Sequence, residues 1–475
     1  MTRPAALPAL CASIVLAAGA AGAAGAAADA ATPRSPAAAD ALAREIFAEL
    51  VGIDTTHAVG SAKAAEALAA RFRAAGFPAD DVYVGGPRPD KMNIVVRLHG
   101  RGLGRPVLFN AHLDVVEAVR ETWTVEPFRL TEKDGFFYGR GTVDVKEEVA
   151  ILTANLLRLK REGWVPDRDV ILFFNTDEEA GGDANGVEWM LANHRALVDA
   201  GLVINQDAGK VHALNGRLLW NTIQTAEKVY ATYTLATTGS GGHSSLPTRE
   251  NAIGRLARAL ARLDAYQFPV RFSETTRRFL EAARTRVAPA EAAAIDALLK
   301  DPADAAALDR LRDAPALNAQ VHSTCPATLV QGGQSESALP MRAQATIQCR
   351  LLPDERPDDV IATLRRVVDD PGVEIGVLWA PVASPAAALD PAVVATIERV
   401  TAQMWPGLGV VPVMSSGASD NVYFRRAGLK TYGVSGTVVD EADVRAHGRD
   451  ERVGVAAFYE SLEFSYRLIR ALAAR

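Results

Sequence analysis

The sequence predicts an α/β protein: a doubly wound, mostly parallel sheet with a smaller α+β unit inserted into it. Short, almost wholly apolar runs read as strands buried on both faces: "MNIVVRL" (92–98), "PVLFNA" (106–111), "DVILFFN" (169–175) and "GLVIN" (201–205). Stretches of helical periodicity separate most of them, which is the alternation of a parallel sheet. At 475 residues the chain is also too long for one typical core, so two units plus removable sequence are expected.

In chain order, Arg3 and the Ala-rich apolar run Pro4 to Ala27 lead to Ala28-Asp29-Ala30, a small-x-small pattern. Residues 1–30 therefore read as a signal peptide, with a periplasmic or secreted product. No second long apolar run follows, so no transmembrane anchor is expected in the mature chain. Cys11 follows Leu10 rather than a small residue, which argues against lipid attachment there. Two amphipathic helices are expected between Ala37 and Gly76, then the four strands. "VKEEVAILTANLLRLKREG" and "ANGVEWMLANHRALV" are helices between them. This first part of the larger unit spans 31–221.

Near Thr222 the texture changes. "KVYATYTLATTG" alternates as a half-exposed strand and "NAIGRLARALARLDAY" is an amphipathic helix. "AQATIQCRLLP", "DDVIATLRRVVDD" and "VEIGVLWA" continue as strand, helix and strand. A small antiparallel α+β unit is expected at 222–385, with a helical insertion at 274–319. Past a Pro- and Ala-rich linker the α/β texture returns at 386–475 and ends in a helix, Gly454–Ala473.

The net charge of −6, with no basic block, excludes binding to nucleic acid through clustered cations. Beyond residue 30 two cysteines remain, Cys325 and Cys349. Two free buried thiols are one reading. A disulfide is the other, if "CPATLV" and "ATIQC" are strands flanking a turn near Ser337.

Each strand of the first part runs into polar residues of metal-ligand type. "PVLFNA" leads to His112 and Asp114, "ILFFNT" to Glu178 and Glu179, and "GLVINQ" to Asp207. Open α/β sheets gather ligands at the carboxyl ends of their strands. Asp144 sits on the Gly-rich loop "GFFYGRGTVDVKEE", and "RAHGRDERV" supplies His447. Any one of these is unremarkable alone. Two imidazoles and three carboxylates together suit zinc, and grouping the carboxylates without a cation would be costly.

The segments "NAHLDVVEA", "GFFYGRGTVDVKEE", "NTDEEAGG", "GGHSSLP", "GASDN" and "HGRDERV", in this order, resemble the co-catalytic dizinc metallopeptidase family. That family includes aminoacylase, acetylornithine deacetylase, succinyl-diaminopimelate desuccinylase and glutamate carboxypeptidase. The helical insertion followed by "LNAQVHSTCPATLVQGG" is most similar to the carboxypeptidase S branch. The resemblance implies a catalytic domain and an inserted lid that also forms a homodimer. It implies two Zn2+ ions per subunit, with Co2+ or Mn2+ tolerated. Asp144 bridges them, His112 and Asp207 complete one site, and Glu179 and His447 the other. It further implies that Asp114 accepts the second imidazole N–H of His112 and that Glu178 is the general base. His243 would stabilise the oxyanion, and Arg350 would pair with the substrate carboxylate in a pocket lined by Gly417. The expected substrates are peptides or N-acyl amino acids, cleaved to release a C-terminal amino acid. A catalytically inactive peptide-binding protein on the same scaffold is the alternative, although the base and all five ligands are present.

Two positions depart from the family pattern. Glu147 follows Lys146 where the family has glycine, which would strain the loop if positive φ were needed there. Ser337 stands where the family has a substrate-holding asparagine.

Overall fold

A computed structural model describes residues 32–180, 184–379 and 381–474. The expected signal peptide lies outside the described residues. Among those residues no helix is long and apolar enough to cross a membrane.

Ten strands form the larger sheet. Its order is Val82–Arg88, Lys91–Leu98, Val170–Asn175, Val107–His112, Leu202–Asn205, Thr431–Gly433, Arg217–Glu227, Val211–Leu214 and Val438–Asp440, with Val410–Ser415 also pairing Arg217–Glu227. Val107–His112 lies parallel to both Val170–Asn175 and Leu202–Asn205, so the predicted parallel arrangement holds at the centre. The flanks are mixed: Val438–Asp440 and Val410–Ser415 pair parallel, whereas Arg217–Glu227 runs antiparallel to Thr431–Gly433 and Val211–Leu214. Lys91–Leu98 runs against Val170–Asn175, and hairpins sit on either side. One of these hairpins turns at Asn215-Gly216, where both residues have positive φ (51° and 77°), as a two-residue primed turn requires.

Helices cover both faces. Ala37–Val51, Lys146–Arg161 and Val455–Ala473 pack on one, where the rings of Phe47 and Phe458 stack at 4.8 Å. Gly186–Asn193 and Asn421–Arg426 pack on the other, around Phe173, Met190 and Phe424. Burial on both faces explains why the central strands read as uninterrupted apolar runs.

A second, four-stranded antiparallel sheet has the order Ala327–Gly332, Arg342–Leu351, Val229–Thr238, Val373–Trp379. Alternate residues of Arg342–Leu351 (Ala343, Ala345, Ile347, Cys349, Leu351) are buried in a core shared with helices Ala252–Ala265 and Pro357–Val368. Strand Arg217–Glu227 runs through Thr222 and stays in the larger sheet, so the passage between sheets falls at Lys228. The insertion forms four helices, Glu274–Ala283, Pro289–Lys300, Ala305–Arg312 and Pro315–Val321. Their apolar faces share a core with Leu219, Trp220 and Val411, so they dock on the larger sheet rather than the smaller. Cys325 and Cys349 form a disulfide, which decides between the two readings of these thiols.

Candidate active site

The parallel centre of the sheet places three strand ends side by side. His112 closes its strand, Glu178 and Glu179 follow Asn175, and Asp207 follows Asn205 by two residues. Asp144 immediately precedes Val145, the cap of helix Lys146–Arg161, and His447 comes from the loop between Val438–Asp440 and Arg452–Gly454.

These groups converge. His112 Nε2 lies 3.1 Å from Asp144 Oδ1 and 3.9 Å from Asp207 Oδ1. His447 Nε2 lies 3.0 Å from Asp144 Oδ2 and 2.9 Å from Glu179 Oε1. Asp144 thus offers one oxygen to each imidazole. His112, Asp144 and Glu179 present ligand atoms all within 4.8 Å of one another.

The tautomer of His112 follows from its other nitrogen. Nδ1 faces the main-chain oxygen of Asp114 at 2.9 Å, and a carbonyl only accepts, so Nδ1 carries the hydrogen. A neutral ring then points the Nε2 lone pair at a carboxylate oxygen. Two acceptors in contact need a positive charge between them, a proton or a metal ion. The titration behaviour says the same. In the absence of a cation, the hydrogen bonds of Asp144 and Glu179 push His447 up to about 10. His112 rises well above its ordinary value because its carboxylate neighbours outweigh burial. Asp144 is held far below the usual range, the imidazoles overcoming its burial. Burial, then the Asp144 charge, pushes Glu179 up to about 7. Burial also raises Asp207, and raises Glu178 far above the ordinary value.

Asp114 is placed differently from the expectation. Its nearest carboxylate oxygen is 3.8 Å from His112 Nδ1, and the main-chain carbonyl takes that hydrogen instead. The Asp114 carboxylate accepts the backbone N–H groups of Glu178 (3.1 Å) and Glu179 (3.0 Å). Two convergent amides hold a carboxylate more firmly than one imidazole at the same distance.

Glu147 raises no backbone difficulty. It lies in the first turn of helix Lys146–Arg161 without positive φ. Its carboxylate is buried 3.2 Å from Lys210 Nζ, and burial pushes it up to about 8 against the pull of that lysine.

The remaining predicted residues lie apart from this cluster. The exposed loops that carry His243 and Ser337 pair with each other beside the smaller sheet, where Ser244 N–H donates to Ser337 O at 2.9 Å and His243 forms a β-bridge with Ala338. Among the described residues, neither makes a hydrogen bond or ion pair with the five clustered groups. Arg350 lies over the ring of Tyr230 at 4.8 Å, with no ion-pair partner among the described residues. The loop containing Gly417 supplies Ser416, Ala418 and Ser419 to a cavity of about 380 Å³ that Asp207 also lines. A second cavity, about 810 Å³, is lined by Asp144 and Asp207 together with apolar residues such as Phe136, Leu218 and Trp405 and charged ones such as Lys210, Asp443 and Arg445.

Two supporting residues go unassigned in the sequence reading. Glu451 accepts the backbone N–H groups of Gly141, Val143 and Asp144, and Arg140 Nη1 at 2.6 Å, and so shapes the loop that carries Asp144. It stands in "HGRDERV" four positions after His447, which was a usable signal. Asp420 accepts from Asn175 (2.5 Å) and Asn185 (2.7 Å), and burial pushes it up to about 7.

A mixed sheet whose strand ends and adjoining loops bring together two imidazoles and several carboxylates fits a metal-dependent hydrolase. The profile of Peptidase family M20/M25/M40 matches residues 108–471, and the chain belongs to this family of hydrolases acting on C–N amide bonds. The chain is 28% identical over 377 residues to the N-fatty-acyl-amino acid synthase/hydrolase PM20D1 of Homo sapiens, covering 77% of this chain and 74% of that protein. A probable carboxypeptidase S-like 2 of Dictyostelium discoideum is 28% identical over 384 residues, covering 77% and 71%. Among solved structures, the M20 family metallo-carboxypeptidase Sso-CP2 of Sulfolobus solfataricus superimposes with a TM-score of 0.69 at 18% identity, covering 91% of this chain and 99% of that one.

Proposed function

We propose that the chain is a dizinc amidohydrolase that cleaves peptides or N-acyl amino acids and releases a C-terminal amino acid. The observation that carries this reading is the Asp144 carboxylate, with one oxygen against each of two imidazoles. His112 and Asp207 complete one cation site, and Glu179 and His447 the other. Ions held by these residues would supply polarisation of the scissile carbonyl and acidification of a water molecule. Cobalt or manganese would suit the same donors.

Glu178 takes the proton of the attacking water as its oxygen bonds to the carbonyl carbon. It then delivers that proton to the leaving nitrogen as the C–N bond breaks. Asp114 holds the backbone of both glutamates through the two amide hydrogen bonds. Arg350, with no ion-pair partner among the described residues, pairs with the substrate carboxylate, assisted by the Gly417 loop and Ser337. His243 stabilises the oxyanion. Its exposed position beside Ser337 fits delivery by closure of the smaller sheet, or from the second subunit of a homodimer. In this reading the larger sheet is the catalytic domain and the smaller one the lid and dimerisation domain.

The larger cavity beside Asp144 and Asp207 sets apolar walls, Phe136, Leu218 and Trp405, among charged groups such as Lys210 and Arg445, and those walls suit an N-acyl amino acid with an apolar acyl group. The name of the human relative, an N-fatty-acyl-amino acid synthase/hydrolase, points the same way. The Cys325–Cys349 disulfide supports an exported protein, since such bonds persist in oxidising compartments.

Glu178→Gln tests the assignment. The variant is expected to retain its metal by elemental analysis and to lose turnover of a pooled dipeptide and N-acyl-amino-acid library. Hydrolysis at the parental rate would refute the assigned base.

A further inference from the structure

The carboxylate of Glu178 makes no hydrogen bond or ion pair among the described residues; only its main-chain N–H is held, by Asp114. Its direction is therefore set by the backbone that carries it. That backbone turns at Asp177, whose φ is +58°, a left-handed conformation that Asp tolerates better than most side chains. The Asp177 side chain is anchored by Lys91, a fully buried residue at the start of strand Lys91–Leu98. Lys91 Nζ lies 2.6 Å from Asp177 Oδ1, 2.6 Å from the main-chain oxygen of His57 and 3.1 Å from His57 Nδ1. Lys91 Nζ donates to the Asp177 carboxylate and to the His57 carbonyl, and His57 Nδ1 lies against both side chains, 3.0 Å from Asp177 Oδ1. Asp177 Oδ2 is buried without a hydrogen-bond partner among the described residues, so the side chain is held through Oδ1, by Lys91 and His57.

We propose that Lys91 and Asp177 form a buried positioning pair that aims Glu178, the two residues acting through the left-handed turn while Asp114 restrains the following amides. The inference rests on Glu178 being the base. In this reading neither residue is a metal ligand or a substrate contact. The pair fixes where the chain leaves Asp177, and a shift of about 1 Å at a reacting group costs roughly 100-fold in rate.

The test uses Lys91→Met, Asp177→Asn and the double variant in the metal-loaded full chain. Melting temperature, metal content, kcat and KM are measured for each. Asparagine keeps the side-chain shape and the tolerance for positive φ, so Asp177→Asn carries the test even if Lys91→Met does not fold. The expected result is a kcat lower by roughly 10- to 100-fold with KM and metal content unchanged. The loss in the double variant should equal that of the single variants rather than their product, because both act on one turn. Parental kcat in a folded, metal-loaded variant, multiplicative losses, or a loss confined to KM or metal content would overturn the proposal. Failure of the underlying reading is separately visible as turnover by Glu178→Gln in the same assay.

Discussion

His112 directs the lone pair of Nε2 at Asp144 Oδ1 across 3.1 Å, because the carbonyl of Asp114 fixes the ring hydrogen on Nδ1. A cation between them satisfies both atoms. Without one, the ring must take up a proton, and His447 does the same on the other oxygen of Asp144.

Metal removal is accordingly linked to pH. In the metal-free chain the folded value of His447 is raised to about 10 from 6.5. Its contribution to metal-free stability is therefore complete below about pH 6.5 and is lost as pH rises through about 10. Metal binding displaces those protons and strengthens as pH rises. The gap in melting temperature between metal-loaded and chelator-treated protein is expected to widen from pH 6.5 to pH 9. A gap that narrows would contradict the two-imidazole site.

The Asp114 carboxylate reaches two successive amides, Glu178 N–H at 3.1 Å and Glu179 N–H at 3.0 Å. Asp114→Asn keeps one acceptor oxygen and sets an NH2 group against the other amide. Activity is expected to fall roughly 10- to 100-fold. Because the partner is backbone rather than the His112 ring, the loss should fall on kcat at constant metal occupancy. Elemental analysis beside steady-state kinetics separates the two.

Much of this site was legible because its polar residues sit where apolar runs stop, and a buried parallel strand leaves little else at its end. Other features were hidden for physical reasons. An apolar run looks the same in a parallel or an antiparallel neighbourhood, so the mixed flanks of the larger sheet were not readable from Ile94 to Leu98 alone. The Asn215-Gly216 pair was readable as a hairpin, and it marks the strand that carries the larger sheet past Thr222. Helical periodicity around Phe279 and Leu298 declares a buried face but not its partner, which proved to be Trp220 and Val411. Spacing placed Asp114 beside His112, but whether carboxylate or carbonyl meets the ring is a matter of rotamer.

Arg350 has no carboxylate partner among the described residues and rests on Tyr230, an arrangement suited to pairing with a substrate. Arg350→Met is expected to raise KM for substrates with a free C-terminal carboxylate by about 10- to 100-fold, the worth of a hydrogen bond to a charged group. The matching C-terminal amides should show little change. Equal effects on acid and amide would assign Arg350 to the fold of the smaller sheet instead.

Lys228 occupies the passage between the two sheets. It is buried, and its Nζ donates to the main-chain oxygen of His322 at 2.5 Å. Burial lowers it to about 7 from 10.5, assisted by Arg350 and opposed by Glu355. Between these values the unfolded chain holds a proton that the folded chain has released. Stability therefore rises with pH through this window, and below about pH 7 the folded state bears the full cost of a buried ammonium. Lys228→Met loses one hydrogen bond, worth about 1 kcal/mol, but removes the pH-dependent cost. Its melting temperature relative to the parent should be most favourable at pH 6.5 and decline steadily toward pH 10. A difference that stays constant across that range would mean that Lys228 keeps its proton in the folded protein, and that the passage between the sheets accommodates the charge.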